Sequence, residues 1–169
     1  GEEGPGGEER SPTALPSLPG PFKAENCGMW ASSPGCITPL HFDLCHGLLC
    51  QVRGRKRIRL FPPADLRSLY PRGAIPHAAN PLSSSVDLDA WLAGDEKQRE
   101  SFPKVANAEM WECELGPGQA LYIPPFWWHH VITHDEPSAS VLVPWDPDPS
   151  RGEDAHPCGT FTSTRGGVM

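Results

Sequence analysis

Two short runs near the middle of the chain have the length and apolar content of β-strands, and in the second run apolar and polar residues alternate. The runs are residues 48–52 and 56–61, and the segment between them, Arg53-Gly54-Arg55, has the composition of a tight turn. The pattern therefore predicts a β-hairpin.

The same alternation assigns faces to the two predicted strands. One side of the first strand carries Leu48, Cys50 and Val52. In the second strand Lys56 shares its side with Ile58 and Leu60. The opposite side carries Arg55, Arg57 and Arg59, which together with Arg53 we interpret as a solvated outer face. A lysine is thus expected on the apolar, inward side.

Further short elements follow the predicted hairpin. Strands are predicted at residues 111–115, 120–123, 129–133 and 140–145, with a turn at Gly116-Pro117-Gly118. Short helices are predicted at residues 63–70 and 87–92, because Pro63 and Asp87 are suitable first residues. Many short strands joined by tight turns favour a mainly β sandwich or barrel.

Composition divides the chain into three parts. Residues 1–26 are rich in glycine, proline and glutamate, and we expect a disordered tail or linker there. Residues 27–146 hold all six tryptophans and should form one domain, as the length of 169 residues suggests. Residues 147–169 are expected to form a loose C-terminal tail. Because the chain begins with Gly1, we expect a fragment or processed form.

Charge and cysteine content exclude several classes of function. The formal net charge is −7, so general attraction to nucleic acid or to an anionic membrane is not indicated. No apolar stretch reaches the roughly 18 residues of a membrane span, and the first residues lack the basic start and apolar run expected of a secretory signal. The six cysteines contain no CxxC pair, so we expect reduced thiols and an intracellular protein, cytoplasmic or nuclear.

A candidate metal site is suggested by histidine and aspartate spacing. His41 and Asp43 are two residues apart, so on a strand they share a face. A second source of imidazole lies in another predicted strand, at His129 and His130. Two histidines and one carboxylate are the ligand set of non-haem Fe(II) oxygenases. Strand alternation does not choose between His129 and His130.

The inward position of Lys56 adds a second observation. A buried ammonium group requires a partner, because burial otherwise favours its neutral form. The partner could be a protein carboxylate or the carboxylate of a bound organic acid that also chelates the metal. These residues alone leave both alternatives open.

Several motifs in order along the chain resemble the JmjC and cupin-like 2-oxoglutarate oxygenases, in particular their small hydroxylase branch. The motifs are TPLHFD at 38–43, QVRGRKR at 51–57, LFPP at 60–63, LYP at 69–71, GPG at 116–118 and LYIPPFWWHHV at 121–131. The resemblance covers about Trp30 to Trp145. It implies a double-stranded β-helix, a jelly roll of two sheets.

The resemblance also implies roles for individual residues. His41, Asp43 and His129 match the Fe(II) ligands. Lys56 and Thr38 match the residues that bind the distal carboxylate of 2-oxoglutarate, and Trp145 resembles a tryptophan that lines the iron pocket. Three positions depart from the pattern without removing a ligand: Gly47, Gln119 and Val143.

The implied function is a dioxygenase that hydroxylates a C–H bond, with O2 as oxidant and with succinate and CO2 as coproducts. A protein side chain is the expected substrate. Alternatives are an N-methyl lysine demethylase of the same family, a non-catalytic cupin-like binding module and a zinc or manganese cupin enzyme. The helices with which some relatives dimerise are missing, so we expect a monomer. Relatives also use upstream elements to complete the barrel, and such elements are not evident before Trp30.

Overall fold

Residues 27–74 and 82–147 contain eight strands, which form two antiparallel sheets of four strands each. A computed structural model describes residues 27–74 and 82–147. The first sheet has the order β1-β8-β3-β6, and the second has the order β2-β7-β4-β5. The strands are β1 Gly28–Ser32, β2 Ile37–Phe42, β3 His46–Arg53, β4 Lys56–Phe61, β5 Trp111–Leu115, β6 Ala120–Ile123, β7 Trp128–Thr133 and β8 Ser138–Trp145. The predicted mainly β architecture is confirmed.

Short helices occupy the connection between β4 and β5. They are 3₁₀ helices at Pro63–Arg67, Arg72–Ala74 and Pro103–Asn107, and α-helices α1 at Leu88–Ala93 and α2 at Glu96–Ser101. The predicted helix at 87–92 is confirmed, and the Asp87 carboxylate caps it by accepting a hydrogen bond from Ala90 N at 3.1 Å. The predicted helix at 63–70 ends early, at Arg67. None of the helices in the two described ranges is long and apolar enough to span a membrane.

The predicted hairpin is wrong, because β3 and β4 belong to different sheets. β3 pairs with β6 and β8, whereas β4 pairs with β5 and β7. The segment between them therefore crosses from one sheet to the other. Gly54 makes the crossing possible, since its φ is +71° and an added Cβ would lie 2.7 Å from the Pro137 carbonyl oxygen.

The misassignment has a physical cause in β3, which is apolar on both faces. Gly47 and Leu49 face the other sheet, so Leu48, Cys50 and Val52 lie on the outer face. Alternation alone cannot say which apolar side is the interior one. In β4 the predicted inward face is confirmed, because Lys56 and Ile58 are buried.

Apolar side chains of the described residues form two cores, one on each side of the second sheet. Between the sheets lie Leu49, Ile58, Leu115 and Val131. On the outer side of the second sheet, Leu40, Phe42, Phe61 and Trp128 pack against Leu69, Val86, Leu88 and Val105 of the 62–110 connection. The second sheet is thus covered on both faces over β2, β7 and the end of β4. The expected solvated outer face is wrong at Arg59, whose side chain is only 12% exposed beside α1. The tails expected at 1–26 and 147–169 lie outside the described residues, except for Pro147.

Substitution of Gly54 tests the crossover. Gly54→Ala should lower the free energy of unfolding by about 1 kcal/mol for the left-handed backbone and by about 1–2 kcal/mol more for the collision with Pro137. Gly35→Ala is the matched control, because Gly35 also has φ +71° but has no atom within 4 Å of an added Cβ. Urea denaturation measures both variants. Equal losses would show that the Pro137 contact does not constrain the crossover.

Candidate metal centre and adjoining cavity

Three side chains converge between the sheets. They are His41 of β2, Asp43 just after β2 and His129 of β7. His41 is the direct cross-strand partner of His129, and Asp43 follows the end of β2. One ligand atom from each of these residues lies within 4.8 Å of the others. His129 Nε2 is 3.7 Å from Asp43 Oδ2. Within the described ranges, no other group of three His, Cys, Asp or Glu side chains comes this close.

Backbone hydrogen bonds orient both imidazoles. His41 Nδ1 lies 2.8 Å from the Pro39 carbonyl oxygen, and His129 Nδ1 lies 3.1 Å from the Trp127 carbonyl oxygen. A carbonyl accepts a hydrogen bond, so each Nδ1 carries the proton and each Nε2 keeps a free lone pair. This is the arrangement by which proteins fix the tautomer of a metal-binding histidine.

The electrostatic environment keeps His129 neutral at physiological pH. Burial, and secondarily the nearby His41, lower the pKa of His129 to about 4, while Asp43 opposes this shift. A neutral imidazole is the form that binds a metal. The donor set of two imidazoles and one carboxylate fits a divalent transition metal.

The structure distinguishes the two histidines that alternation left open. His129 points between the sheets, whereas His130 points to the outer side of the second sheet and contacts Asp89. There His130 Nε2 lies 3.1 Å from Asp89 Oδ2, and Arg59 Nη1 lies 2.6 Å from Asp89 Oδ1. His130 thus contacts the Asp89 side of the Arg59–Asp89 ion pair, and this group of polar side chains attaches α1 to the sheet.

Asp43 is held in place by an unusual backbone conformation. The Phe126 amide donates a 2.8 Å hydrogen bond to the Asp43 carbonyl oxygen. Phe126 has φ +65°, a left-handed conformation that is uncommon for an aromatic residue, and its ring lies 6.2 Å from the ring of Phe42. Strained residues of this kind are concentrated at functional sites. Nothing in the sequence pattern indicated this contact.

A cavity of about 220 Å³ extends from the three side chains into the space between the sheets. Thr38 and Lys56 line it, as do Trp30, Cys45 and the apolar side chains Leu49, Ile123, Val131 and Leu142. The cavity is therefore mostly apolar, with polar groups at the metal-binding residues, at Thr38 and at Lys56. Walls of this kind hold a small ligand in a fixed orientation.

Lys56 is the buried charge of this cavity, with 6% of its surface exposed. Its ammonium group donates a 2.9 Å hydrogen bond to the Ser140 hydroxyl. No carboxylate of the described residues lies within ion-pair distance of it. Burial lowers the pKa of Lys56, which shows that the charged form lacks full compensation. A carboxylate ligand in the cavity would supply that compensation.

The remaining predicted residue, Trp145, is not among the side chains that line the cavity. It is buried, and its ring stacks on that of His46 at 5.1 Å with an interplanar angle of 7°. Ser140, whose hydroxyl accepts the hydrogen bond from the Lys56 ammonium, is a residue that sequence reasoning missed. The sequence did contain an indication of its inward position. Ser140 lies in a predicted strand two residues before the apolar Leu142, so the two side chains share a face.

Comparisons with known proteins give the relatives of this chain. The family model described as a cupin-like domain matches residues 7–151. The Jumonji C domain-containing protein 5 of Drosophila melanogaster is 39% identical over 117 residues, which cover 69% of this chain and 27% of that protein. The lysine-specific demethylase JMJ30 of Arabidopsis thaliana is 41% identical over 109 residues, which cover 63% of this chain and 23% of that protein. The chain thus spans about a quarter of the length of these relatives.

Solved structures give a weaker likeness. The X-ray structure of E. coli ycfD is 23% identical, with a TM-score of 0.45, over 74% of this chain and 26% of that chain.

Metal titration tests the three-residue centre. His129→Ala should raise the Kd for Co(II) at least about 100-fold, because one of the three metal ligands is lost. The visible absorption of bound Co(II) measures this constant. His130→Ala is the matched control from the adjacent position, and it should leave the Kd within about threefold while lowering stability. If His130→Ala weakens Co(II) binding as much as His129→Ala does, the assignment of His129 is wrong.

Proposed function

Because this chain belongs to the cupin-like domain family, which includes the JmjC proteins, we propose that it is an Fe(II)- and 2-oxoglutarate-dependent dioxygenase that hydroxylates a C–H bond of a protein side chain. One observation carries this proposal: a His-Asp-His group and a buried ammonium without a carboxylate partner in the described ranges line the same cavity. A metal and a dicarboxylate together satisfy both features.

The metal ligands would be Nε2 of His41, Nε2 of His129 and a carboxylate oxygen of Asp43. When bound with 2-oxoglutarate, Fe(II) supplies the activation of O2 that is coupled to conversion of the cosubstrate to succinate and CO2. Three protein ligands leave coordination positions for the cosubstrate and O2. The protein contributes by fixing the tautomers of the two histidines and by holding Asp43 through the Phe126 amide.

Lys56 would bind the distal carboxylate of 2-oxoglutarate. Its ammonium is buried among apolar side chains, where a charge-assisted hydrogen bond to a carboxylate is stronger than in water. Thr38 lines the same cavity and offers a hydroxyl donor to the same group. The hydroxyl of Ser140 fixes the lysine side chain in advance. The apolar walls exclude water from the reacting groups.

A second candidate activity is N-methyl lysine demethylation, because one matched relative is named a lysine-specific demethylase. The same centre would serve both activities, since hydroxylation of an N-methyl group releases the methyl as formaldehyde. The products distinguish the two. Mass spectrometry of peptide substrates shows the gain of one oxygen atom for hydroxylation, whereas loss of a methyl group together with formaldehyde indicates demethylation.

Substitution of Lys56 tests the cosubstrate site. Lys56→Met should raise the Kd for 2-oxoglutarate at least about tenfold, because the only buried cation in the cavity lining is lost. Anaerobic titration of the Fe(II)-loaded chain, followed by the visible charge-transfer band, measures this constant. Co(II) affinity should not change, because Lys56 is not a metal ligand.

The stability of Lys56→Met supplies an independent readout. The folded-state pKa of Lys56 lies below its unfolded value, so burial of the charged lysine costs stability at neutral pH. The variant should therefore unfold at no lower urea concentration than the wild type. Lys97→Met is the control, because Lys97 is exposed on α2.

Two outcomes would contradict the proposal. Unchanged 2-oxoglutarate binding in a folded Lys56→Met variant would refute the proposed cosubstrate site. A wild type that binds metal but forms no succinate would indicate a binding module.

A further inference from the structure

Lys56 is closed to solvent on the side of the sandwich that leads to β5. Its cross-strand partner in β5 is Leu115, which is buried. Its ammonium bonds to Ser140 of β8, and the partner of Ser140 in β3 is the buried Gln51. Access to Lys56 from this side would require displacement of packed side chains.

The opposite side of the sandwich differs, because a gap lies there between β1 and β2. These two strands are edge strands of their sheets in the described ranges, and residues 33–36 join them. Trp30 of β1 and Thr38 of β2 line the cavity, so both side chains point inward. Both residues are nevertheless exposed, Trp30 by 56%. Inward-facing residues that remain exposed mark an opening between the two edge strands.

Trp30 lies between this gap and the ammonium group of Lys56. It is the direct cross-strand partner of Ser140, whose hydroxyl accepts the hydrogen bond from Lys56. An added Cβ on Gly28 would lie 3.4 Å from Trp30 Nε1, so the indole extends along β1 over Gly28. Lys56 stays buried beside the exposed Thr38. The indole therefore separates this end of the cavity from solvent.

The backbone around the gap is held in place, so that only a side chain has to move. The hydroxyl groups of Ser32 and Thr133 lie 2.8 Å apart and connect β1 to β7. Thr133 is in turn the cross-strand partner of Lys56. The two sheets are thus tied together next to Lys56. Exposed side chains change rotamer within nanoseconds, so rotation of Trp30 can open the gap without separation of the sheets.

The metal centre has its own opening to solvent, because the side chain of Asp43 is 42% exposed. This opening is remote from the gap. On β7, His129 and the partner of Lys56, Thr133, are four residues apart, which corresponds to about 13 Å. A polypeptide substrate has to approach the metal ligands, whereas a small acid has to reach Lys56. The cavity therefore has two openings that suit two different ligands.

We propose that Trp30 closes a side entrance between β1 and β2, through which a small carboxylate ligand reaches Lys56 without passing the metal centre. The identity of that ligand, 2-oxoglutarate, rests on the function proposed above. Trp30 is a gating residue in this arrangement. A gate slows entry and exit alike, so its removal changes the exchange rates more than the affinity.

Stopped-flow mixing of the Fe(II)-loaded chain with 2-oxoglutarate under anaerobic conditions measures the exchange rates from the charge-transfer band. Trp30→Ala should raise the association and dissociation rate constants at least about tenfold each and leave the Kd within about threefold. Trp30→Phe keeps an aromatic ring, so its rate constants should stay within about threefold of the wild type.

Trp111→Ala is the matched control. Trp111 is also 56% exposed, and it faces inward because it pairs with Leu60, which pairs with His129. It lies on β5, at the other edge of the second sheet. Its removal should therefore leave both rate constants unchanged. Both tryptophans are more than half exposed, so both alanine variants should fold.

Reductive methylation of the full chain without added metal supplies a second readout that needs no 2-oxoglutarate. Formaldehyde and a borane reductant are small enough to pass the side entrance, and mass spectrometry follows methylation at Lys56. Trp30→Ala should accelerate this methylation at least about tenfold. The rate at Lys97, which is exposed on α2, should not change. Trp111→Ala should accelerate neither.

Two outcomes would overturn the inference. One is a Trp30→Ala variant in which neither the methylation of Lys56 nor the exchange of 2-oxoglutarate is faster. The other is equal acceleration by Trp111→Ala, because access would then not depend on the β1–β2 side. Failure of the proposed function gives a different result. The wild type would then form no charge-transfer band, while Trp30→Ala would still accelerate methylation of Lys56, which supports the entrance and refutes the cosubstrate.

Discussion

The pairing register between β2 and β7 is the constraint on which the rest of the structure depends. It sets His41 opposite His129 on the inner side and Phe42 opposite Trp128 on the outer side. The inner pair forms the metal centre, while the outer pair packs edge to face with ring centroids 4.7 Å apart in the helix-covered core. A slip of one residue would exchange imidazoles for aromatic rings on both faces. The stability of the outer core therefore maintains the geometry of the centre.

An irregularity in the same strand pair completes the arrangement. The register of β2 against β7 shifts between Thr38 and His41. Pro39 lies in this bulge, where its lack of a backbone N–H costs nothing, and its carbonyl oxygen accepts the hydrogen bond from His41. The bulge thus orients the His41 side chain. It also accommodates Pro39, which cannot donate a backbone hydrogen bond to the neighbouring strand.

Sequence reasoning located most strands and identified the candidate metal-binding residues, because alternation within a strand is a strong local signal. The elements at 111–115 and 120–123 were placed with their observed bounds. Strand partners were less accessible, since alternation describes one strand and not its neighbour. The hairpin error at Gly54 arose in this way. β1, β2 and α2 were not predicted, because β1 and the first half of β2 are exposed and α2 has no buried residue.

The site shows the same division between local and long-range information. His41 and Asp43 share a motif, and Lys56 could be placed inward by counting. Selection of His129 over His130 required the resemblance, and the observed register now gives the reason for it. The hydroxyl of Ser140 and the amide of Phe126 lie 84 residues from Lys56 and 83 residues from Asp43, respectively, so no local pattern could have found them.

The first and last strands of the described fold are antiparallel neighbours in the same sheet, with Gly28 opposite Leu142. The polypeptide consequently enters and leaves this unit at adjacent points. A fold with neighbouring ends can be inserted into a longer polypeptide or circularly permuted without disturbing its strand pairing. The β1–β8 pair gives this module the geometry of an insertable unit, in which added segments at either end would emerge on the same side of the sandwich.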